Sequence, residues 1–353
     1  MCSTEPMSTL PVSPDDLTPA WLSEVLGTEV TAVEVLHHAF ATNQRAQIGL
    51  TYATAGAGPA SLFAKLAPLD PVHRQMVGAT GMGAREVQFY VDVAPSVDLL
   101  VPASSYAAAD DDLFVLLLED LSVRDCRFSD GAWGITTDAA ARALEDLARF
   151  HSRFADPATR AAVAPWSSAP HRRASEATSR LMRLVLDENA GRLSAAYTAI
   201  GELYVEHHAW FDEMWHAGPQ TLIHGDLHIG NVYLDAGRVG FLDWGLSRTS
   251  TPLRDVSYFL TMSVDIEERR GNERELLQGY LDALRAAGGF DISIDDAWAV
   301  HRLQSSYTVI ATFLAYMPSY RSGDGMTLGN ALLTRADAAI ADLDTVAALL
   351  AAL

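Results

Sequence analysis

The sequence predicts an α+β chain of two lobes, a smaller sheet-bearing one followed by a larger, mostly helical one. Three observations predict it. Between Val30 and Leu118 the apolar residues fall in short runs broken by turn residues, the pattern of antiparallel strands with one intervening helix. At Glu119-Asp120-Leu121-Ser122 that pattern stops, and the chain becomes Ala-rich with helical spacing. A length of 353 residues, 49% of them hydrophobic, suffices for two separate cores. The boundaries that follow are 1–118 for the N-lobe, 119–122 for a hinge and 123–353 for the C-lobe.

In the N-lobe, residues 1–14 are rich in Pro, Ser and Thr and are expected to be poorly ordered. Thr18-Pro19 reads as an N-cap followed by Pro at the first helical position, with Gly27 as the stop, so a short helix forms around Trp21, Leu22, Val25 and Leu26. Strands follow at 30–36, 48–54 and 61–66, separated by the polar loop Ala41-Thr42-Asn43-Gln44-Arg45 and a Gly-Pro turn at 55–59. A helix over 84–91 puts Val87, Tyr90 and Val91 on one face. Glu86 opens it, where the helix dipole favours a carboxylate. A second strand pair, 99–106 and 113–118, turns at Asp110-Asp111-Asp112. Its second member is apolar on both faces, as a central strand is.

In the C-lobe the stripe Leu144, Leu147, His151 and Phe154 marks a helix over 138–155 and makes His151 a hydrogen-bonded core residue. Two or three helices occupy 171–216. The aromatic cluster that ends them, around Tyr204, Trp210, Phe211 and Trp215, reads as core, with a pocket wall as the alternative. The histidines there lack the thiolates or third ligand of a zinc site. A helix starts at Pro252, and three more span 268–287, 293–316 and 328–351, with a Pro/Tyr/Gly loop at 317–326 placed to overhang a pocket.

Chemistry concentrates between Leu222 and Gly245. His224-Gly225-Asp226-Leu227-His228-Ile229-Gly230-Asn231 precedes a strand from Val232, a turn at Asp235-Ala236-Gly237-Arg238, and a second strand that ends in Asp243. Asp226, Asn231 and Asp243 converge at one end of such a hairpin. An amide and a carboxylate suit a hard cation such as Mg²⁺ and leave one carboxylate spare. Singly, each is the kind of Asx residue that caps a turn; the joint pattern is far more specific.

That block resembles the catalytic and metal-binding loops of the aminoglycoside phosphotransferase and choline kinase-like superfamily, which shares its fold with protein kinases. The resemblance covers about residues 30–265 and is strongest over 221–255. It implies a bilobal protein-kinase-like fold and an ATP-dependent, Mg²⁺-using transfer of the γ-phosphate to a hydroxyl of a small molecule. On this reading Asp226 is the catalytic carboxylate, Asn231 and Asp243 hold the metal, and Lys65 is the phosphate-binding lysine of the third strand, paired with Glu86. Main-chain groups of Glu119 and Leu121 would meet the adenine. His224 and Gly225 shape the loop, His228 either touches substrate or is structural, and Asp255 braces the loop from below. Two departures stand out. The loop at 41–47 contains no glycine, so the glycine-rich phosphate cradle of protein kinases is absent. Only a few residues separate Trp244-Gly245 from the helix at Pro252, leaving no room for a peptide-binding activation segment. A non-catalytic nucleotide-binding regulatory module of the same fold is the alternative.

Composition narrows the partners. The net charge of −20 argues against nucleic acid and serves solubility or a cationic substrate. No run of about eighteen apolar residues predicts a membrane span, and the first residues lack the features of a signal peptide. Two cysteines, Cys2 and Cys126, read as free thiols of a cytoplasmic protein, monomeric or homodimeric. Of the 25 basic residues only Lys65 is lysine, so a compact ammonium is kept where guanidinium is used everywhere else.

Overall fold

In the computed structural model, residues 9–40, 42–168, 175–316 and 325–353 are described. The expected disorder of residues 1–8 and the overhanging loop at 317–324 lie outside them. The chain forms two compact units, one of residues 1–96, 101–126 and 244–246, the other of 97–100, 127–243 and 247–353.

The first unit is built on a five-stranded antiparallel sheet in the order β1-β2-β3-β5-β4, with β1 at Val30–Phe40, β2 at Gln44–Tyr52, β3 at Ser61–Leu66, β4 at Ser104–Asp110 and β5 at Leu113–Glu119. One face of the sheet (Ile48, Leu62, Ala64, Leu66, Val115, Leu117) packs with Trp21 and Leu22 of α1 (Pro19–Leu26) in a single core. Thr18 Oγ1 accepts the Trp21 N–H and Gly27 sits at φ 66°, which ends the helix where a Cβ would be strained. Two further helices, α2 (Pro71–Gly78) and α3 (Met82–Gln88), connect β3 to β4.

Several expected boundaries move. Residues 9–14 are tied down: Asp16 Oδ2 accepts the Val12 and Ser13 N–H groups, and the Val12 carbonyl accepts from Gln44. The loop expected at 41–45 is shorter, because main-chain pairing runs from His37↔Gln47 to Phe40↔Gln44 although Leu36 and Phe40 are exposed. Pairing, not side-chain alternation, extends those strands. Residues 99–103 are not strand; Pro102 has no N–H to give the ladder, and the Leu100 carbonyl accepts from Phe241 instead. The third helix begins two residues earlier than expected, so Glu86 lies within α3 rather than opening it. From Phe89 to Val93 the chain winds as a π-helix, which turns Val91 to solvent while Val87 and Tyr90 stay buried.

In the second unit a short strand, β6 (Cys126–Phe128), at the boundary precedes the helices α4 (Thr137–Arg153), α5 (Pro157–Val163), α6 (Ser175–Glu188) and α7 (Ala195–His216). Tyr204, Phe211 and Trp215 of α7 are buried core residues. Then come β7 (Thr221–Ile223), a hairpin of β8 (Val232–Asp235) and β9 (Arg238–Phe241), and β10 (Arg248–Ser250), which pairs with β7. Ala236 and Gly237 both have positive φ, the geometry of a tight two-residue hairpin turn. β9 ends at Phe241, so Asp243 stands beyond the strand rather than at its end. The unit is completed by α8 (Pro252–Met262), α9 (Ile266–Ala286), α10 (Ile294–Gln304), α11 (Tyr307–Thr312), α12 (Gly325–Asp342) and α13 (Thr345–Ala352). The helix expected over 293–316 breaks at Ser305-Ser306, whose hydroxyls bond to the carbonyls of Arg302 and Leu303. The one expected over 328–351 breaks at Asp344, which adopts φ 48° while Arg302 takes the carbonyls of Leu343 and Asp344.

Candidate active site

The strand β7 delivers the chain into His224-Gly225-Asp226, and that loop is held from several sides within the second unit. Asp255, in the first turn of α8, accepts the His224 N–H at 2.6 Å and the Gly225 N–H at 2.8 Å, one on each carboxylate oxygen. Burial opposes ionisation of this carboxyl. The hydrogen bond and charge of His151 and the Gly225 N–H outweigh it and hold its pKa below the usual range. His151 is itself fixed: Nε2 lies 3.3 Å from Asp255 and Nδ1 2.9 Å from the Tyr280 hydroxyl. Farther along, Ser263 Oγ donates to the Leu227 carbonyl. Gly225, at φ 88°, takes a backbone angle that an L-residue resists.

His224 is completely buried. Its Nδ1 accepts the Asp226 N–H at 3.2 Å, and its Nε2 faces the Leu242 carbonyl at 2.8 Å. An accepting Nδ1 and a carbonyl opposite Nε2 fix the neutral tautomer with the proton on Nε2. Burial lowers its pKa, against the pull of the carboxylates of Asp255 and Asp226. The ring therefore ties the Asp226 loop to the chain leading into Asp243.

Asp226 is partly exposed. Asn231 Nδ2 donates to its main-chain carbonyl and to its Oδ2, both at 3.0 Å. With the amide nitrogen committed in this way, the Asn231 carbonyl oxygen is the atom left to act as a ligand. Asp243 stands just past β9 with φ 61°, an angle uncommon outside glycine. Two oxygen donors of this kind fit Mg²⁺, which binds through few protein groups and completes its shell with phosphate and water. Among the described residues no group of three or more His, Cys, Asp or Glu forms a self-sufficient metal cage. His228 Nδ1 accepts the Gly230 N–H, and its Nε2 lies 3.6 Å from Asp226 Oδ2.

In the first unit, Lys65 Nζ and Glu86 Oε2 meet at 2.5 Å, and both residues are buried, at 3% and 2% exposure. Burying such a pair is costly unless each charge is well partnered. The Glu119 N–H donates to the Ala103 carbonyl and the Leu121 carbonyl accepts from Arg124. Between them Asp120 is buried and accepts from Gln47, Ser61 and Ser122. Trp244 belongs to this unit too, its ring stacked on Phe89 with centroids 3.8 Å apart.

Sequence reasoning missed two residues of α8, one of them beside His228. Tyr258 of α8 is buried, its ring 6.4 Å from that of His228, and Arg254 precedes it by one helical turn. All eleven residues of α8 are buried. A charged residue inside so apolar a segment was the available signal.

Comparison with known proteins fits this geometry. The sequence profile of the ecdysteroid kinase-like family matches residues 40–288. Among solved structures, a Ralstonia eutropha protein assigned as an aminoglycoside phosphotransferase superposes with a TM-score of 0.55 at 13% identity, covering 92% of this chain and 97% of its own. Choline kinase LicA from Streptococcus pneumoniae gives 0.51 at 14% identity, over 93% and 98% of the two chains. The GDP complex of wild-type aminoglycoside 2'-phosphotransferase-IIIa gives 0.51 at 15% identity, over 90% and 96%. At these identities the likeness is one of fold. No curated protein matches the sequence.

Proposed function

Because the chain belongs to the ecdysteroid kinase-like family, we propose that it is a phosphotransferase moving the γ-phosphate of ATP to a hydroxyl of a small molecule. The observation that carries this reading is the Asp226 loop itself, with Asp255 beneath His224 and Gly225 and Asn231 clasped on Asp226. Phosphoryl transfer needs positioning and charge compensation more than covalent chemistry, and a carboxylate held by the Asn231 amide on a braced loop supplies the first.

In this reading Asp226 orients the acceptor hydroxyl and takes its proton as the oxygen attacks. The neutral His224 ring fixes the Asp226 main chain by accepting its N–H. His228 limits the swing of the Asp226 side chain. Lys65, oriented by Glu86, grips the α- and β-phosphates as a point charge. Glu119 and Leu121 meet the base through the main-chain atoms left to them, the Glu119 carbonyl and the Leu121 N–H, since the other two are engaged. Asn231 and Asp243 would hold Mg²⁺, which supplies charge neutralisation on the phosphates. Residues 1–118 then serve the nucleotide, 119–122 link, and 123–353 serve the metal, the base and the acceptor. Among the described residues no helix is long and apolar enough to cross a membrane.

The test is ADP release from Mg-ATP, with Mg-GTP beside it, against a panel of alcohols. Asp226→Asn should abolish turnover while nucleotide binding persists. Near-normal turnover in that variant refutes the assignment, and nucleotide binding without release across the panel favours a regulatory module instead.

A further inference from the structure

The phosphotransferase reading leaves open what kind of molecule carries the accepting hydroxyl, and an inference about that molecule rests on that reading. α8 carries Arg254 at 4% exposure, inside a helix that is otherwise uncharged except for the bracing Asp255. Arginine keeps its charge in proteins, so it cannot escape burial by losing a proton. Its surroundings are rings. The guanidinium carbon lies 3.8 Å from the Tyr307 centroid and 5.9 Å from that of Trp215. Nε and Nη1 are both buried and have no hydrogen-bond partner among the described residues.

Two other buried arginines of the same unit are treated differently. Arg160 gives one nitrogen to the carbonyls of Phe154, Ala155 and Gln220. Arg269 is paired with Glu273 and Asp342. A buried cation with two unused donors is costly to maintain, and each unused N–H of a guanidinium can make a charge-assisted hydrogen bond to an anionic oxygen.

The position of Arg254 joins it to the reacting end of the site. Tyr258 sits one turn along α8, with ring contacts to Tyr307 at 5.4 Å and to His228 at 6.4 Å, and His228 Nε2 is 3.6 Å from Asp226. Burial raises the Tyr258 hydroxyl pKa; the charge of Asp226 adds to that and the charge of Arg254 opposes it, so both charges are felt at this one hydroxyl. Asp226, His228 and Tyr307 each keep some exposed surface, while Arg254 and Tyr258 are buried.

We propose that Arg254 is the recognition residue for an anionic oxygen group on the acceptor, a carboxylate or a phosphate ester, so that the acceptor is a hydroxylated acid and not an amine. The face of Tyr307, where an aromatic pocket would take an ammonium group, is already covered by the Arg254 guanidinium.

The test compares matched compounds that share a hydroxyl and differ in charge. The first set is gluconate, glucose and glucosamine. The second is 3-(hydroxymethyl)benzoate, its methyl ester and 3-(aminomethyl)benzyl alcohol. The third is glycerol 3-phosphate, glycerol and 3-amino-1,2-propanediol, which separates phosphate from carboxylate. ADP release reads turnover, and melting temperature at fixed ionic strength reads binding alone. In at least one set the anionic member should be preferred by about 10- to 100-fold, the range of a charge-assisted hydrogen-bonded pair. Arg254→Met, which keeps the volume, should erase the preference, and Arg254→Lys, which keeps charge without the planar guanidinium, should retain part of it. Circular dichroism establishes that both variants fold. Preference for neutral or cationic members throughout, or an anion preference that survives Arg254→Met, overturns the proposal. So does the failure of every anion to raise the melting temperature above its neutral partner. If no compound drives ADP release yet an anion stabilises the parent and not Arg254→Met, the transferase reading falls and the anion site stands. If ADP release follows neutral or cationic acceptors instead, the transferase reading stands and the anion site falls.

Discussion

Replacing Asp255 with asparagine tests the brace under the Asp226 loop. The native carboxylate accepts the His224 N–H at 2.6 Å, the Gly225 N–H at 2.8 Å and the His151 contact at 3.3 Å. Asparagine has the same shape but only one accepting atom. Whichever way the amide turns, its NH₂ faces either the Gly225 N–H or the His224 N–H, and one buried main-chain donor is left unpaired. An orphaned buried donor costs about 1–3 kcal/mol, and the surviving bond also loses its charge assistance, so the total is about 2–4 kcal/mol. Both oxygens hold the same short loop, so the cost is local. Hydrogen exchange read by mass spectrometry on a peptide covering 221–227 should show opening favoured about 30- to 1,000-fold, at 1.4 kcal/mol per decade. ADP release should fall by about 100-fold, the usual result of displacing a catalytic group by an ångström. Exchange in that peptide no faster than in the parent would refute the reasoning.

Two further predictions follow from buried charge. Glu86→Gln removes the carboxylate that faces the Lys65 ammonium at 2.5 Å, and the denaturation midpoint should drop by the equivalent of about 1.5–3 kcal/mol, the scale of a charge-assisted hydrogen bond, with weaker nucleotide binding; an unchanged midpoint contradicts the pairing. His224 has its pKa lowered in the folded chain by burial. As pH falls through about 6.5 the unfolded chain therefore takes up a proton that the folded chain refuses, and stability declines, whereas above that pH this group contributes no slope. Urea midpoints between about pH 5.5 and 7.5 should fall more steeply towards acid in the parent than in His224→Gln, and equal slopes would exclude the buried neutral ring.

What the sequence made legible is what lies close along the chain. Thr18-Pro19 and Gly27 bounded α1 because a cap, a fixed φ and a left-handed stop act within a few residues. The His-Gly-Asp block drew attention to Asp226, Asn231 and Asp243 for the same reason: one loop and one hairpin carry all three. His151 was readable as core because its stripe is helical, yet its service to Asp255 depends on a helix much later in the chain. Where the reading failed, a long-range term decided. Periodicity assumes 3.6 residues per turn, so it misplaced Val91 as soon as α3 ran into a π-helical segment. Alternation ended the first strand at Leu36, but main-chain pairing to Gln44 and Gln47 carried it on to Phe40. Arg254 was invisible as a site residue because its meaning comes from Trp215 and Tyr307, which arrive from two other helices. The same helix thus presents two adjacent charged residues in opposite states: Asp255 has both oxygens engaged, and Arg254 has two donors unused. A fold that satisfies one buried charge so completely leaves its neighbour with hydrogen-bonding capacity for a ligand to use, and that asymmetry sets the acceptor experiment apart from a test of folding.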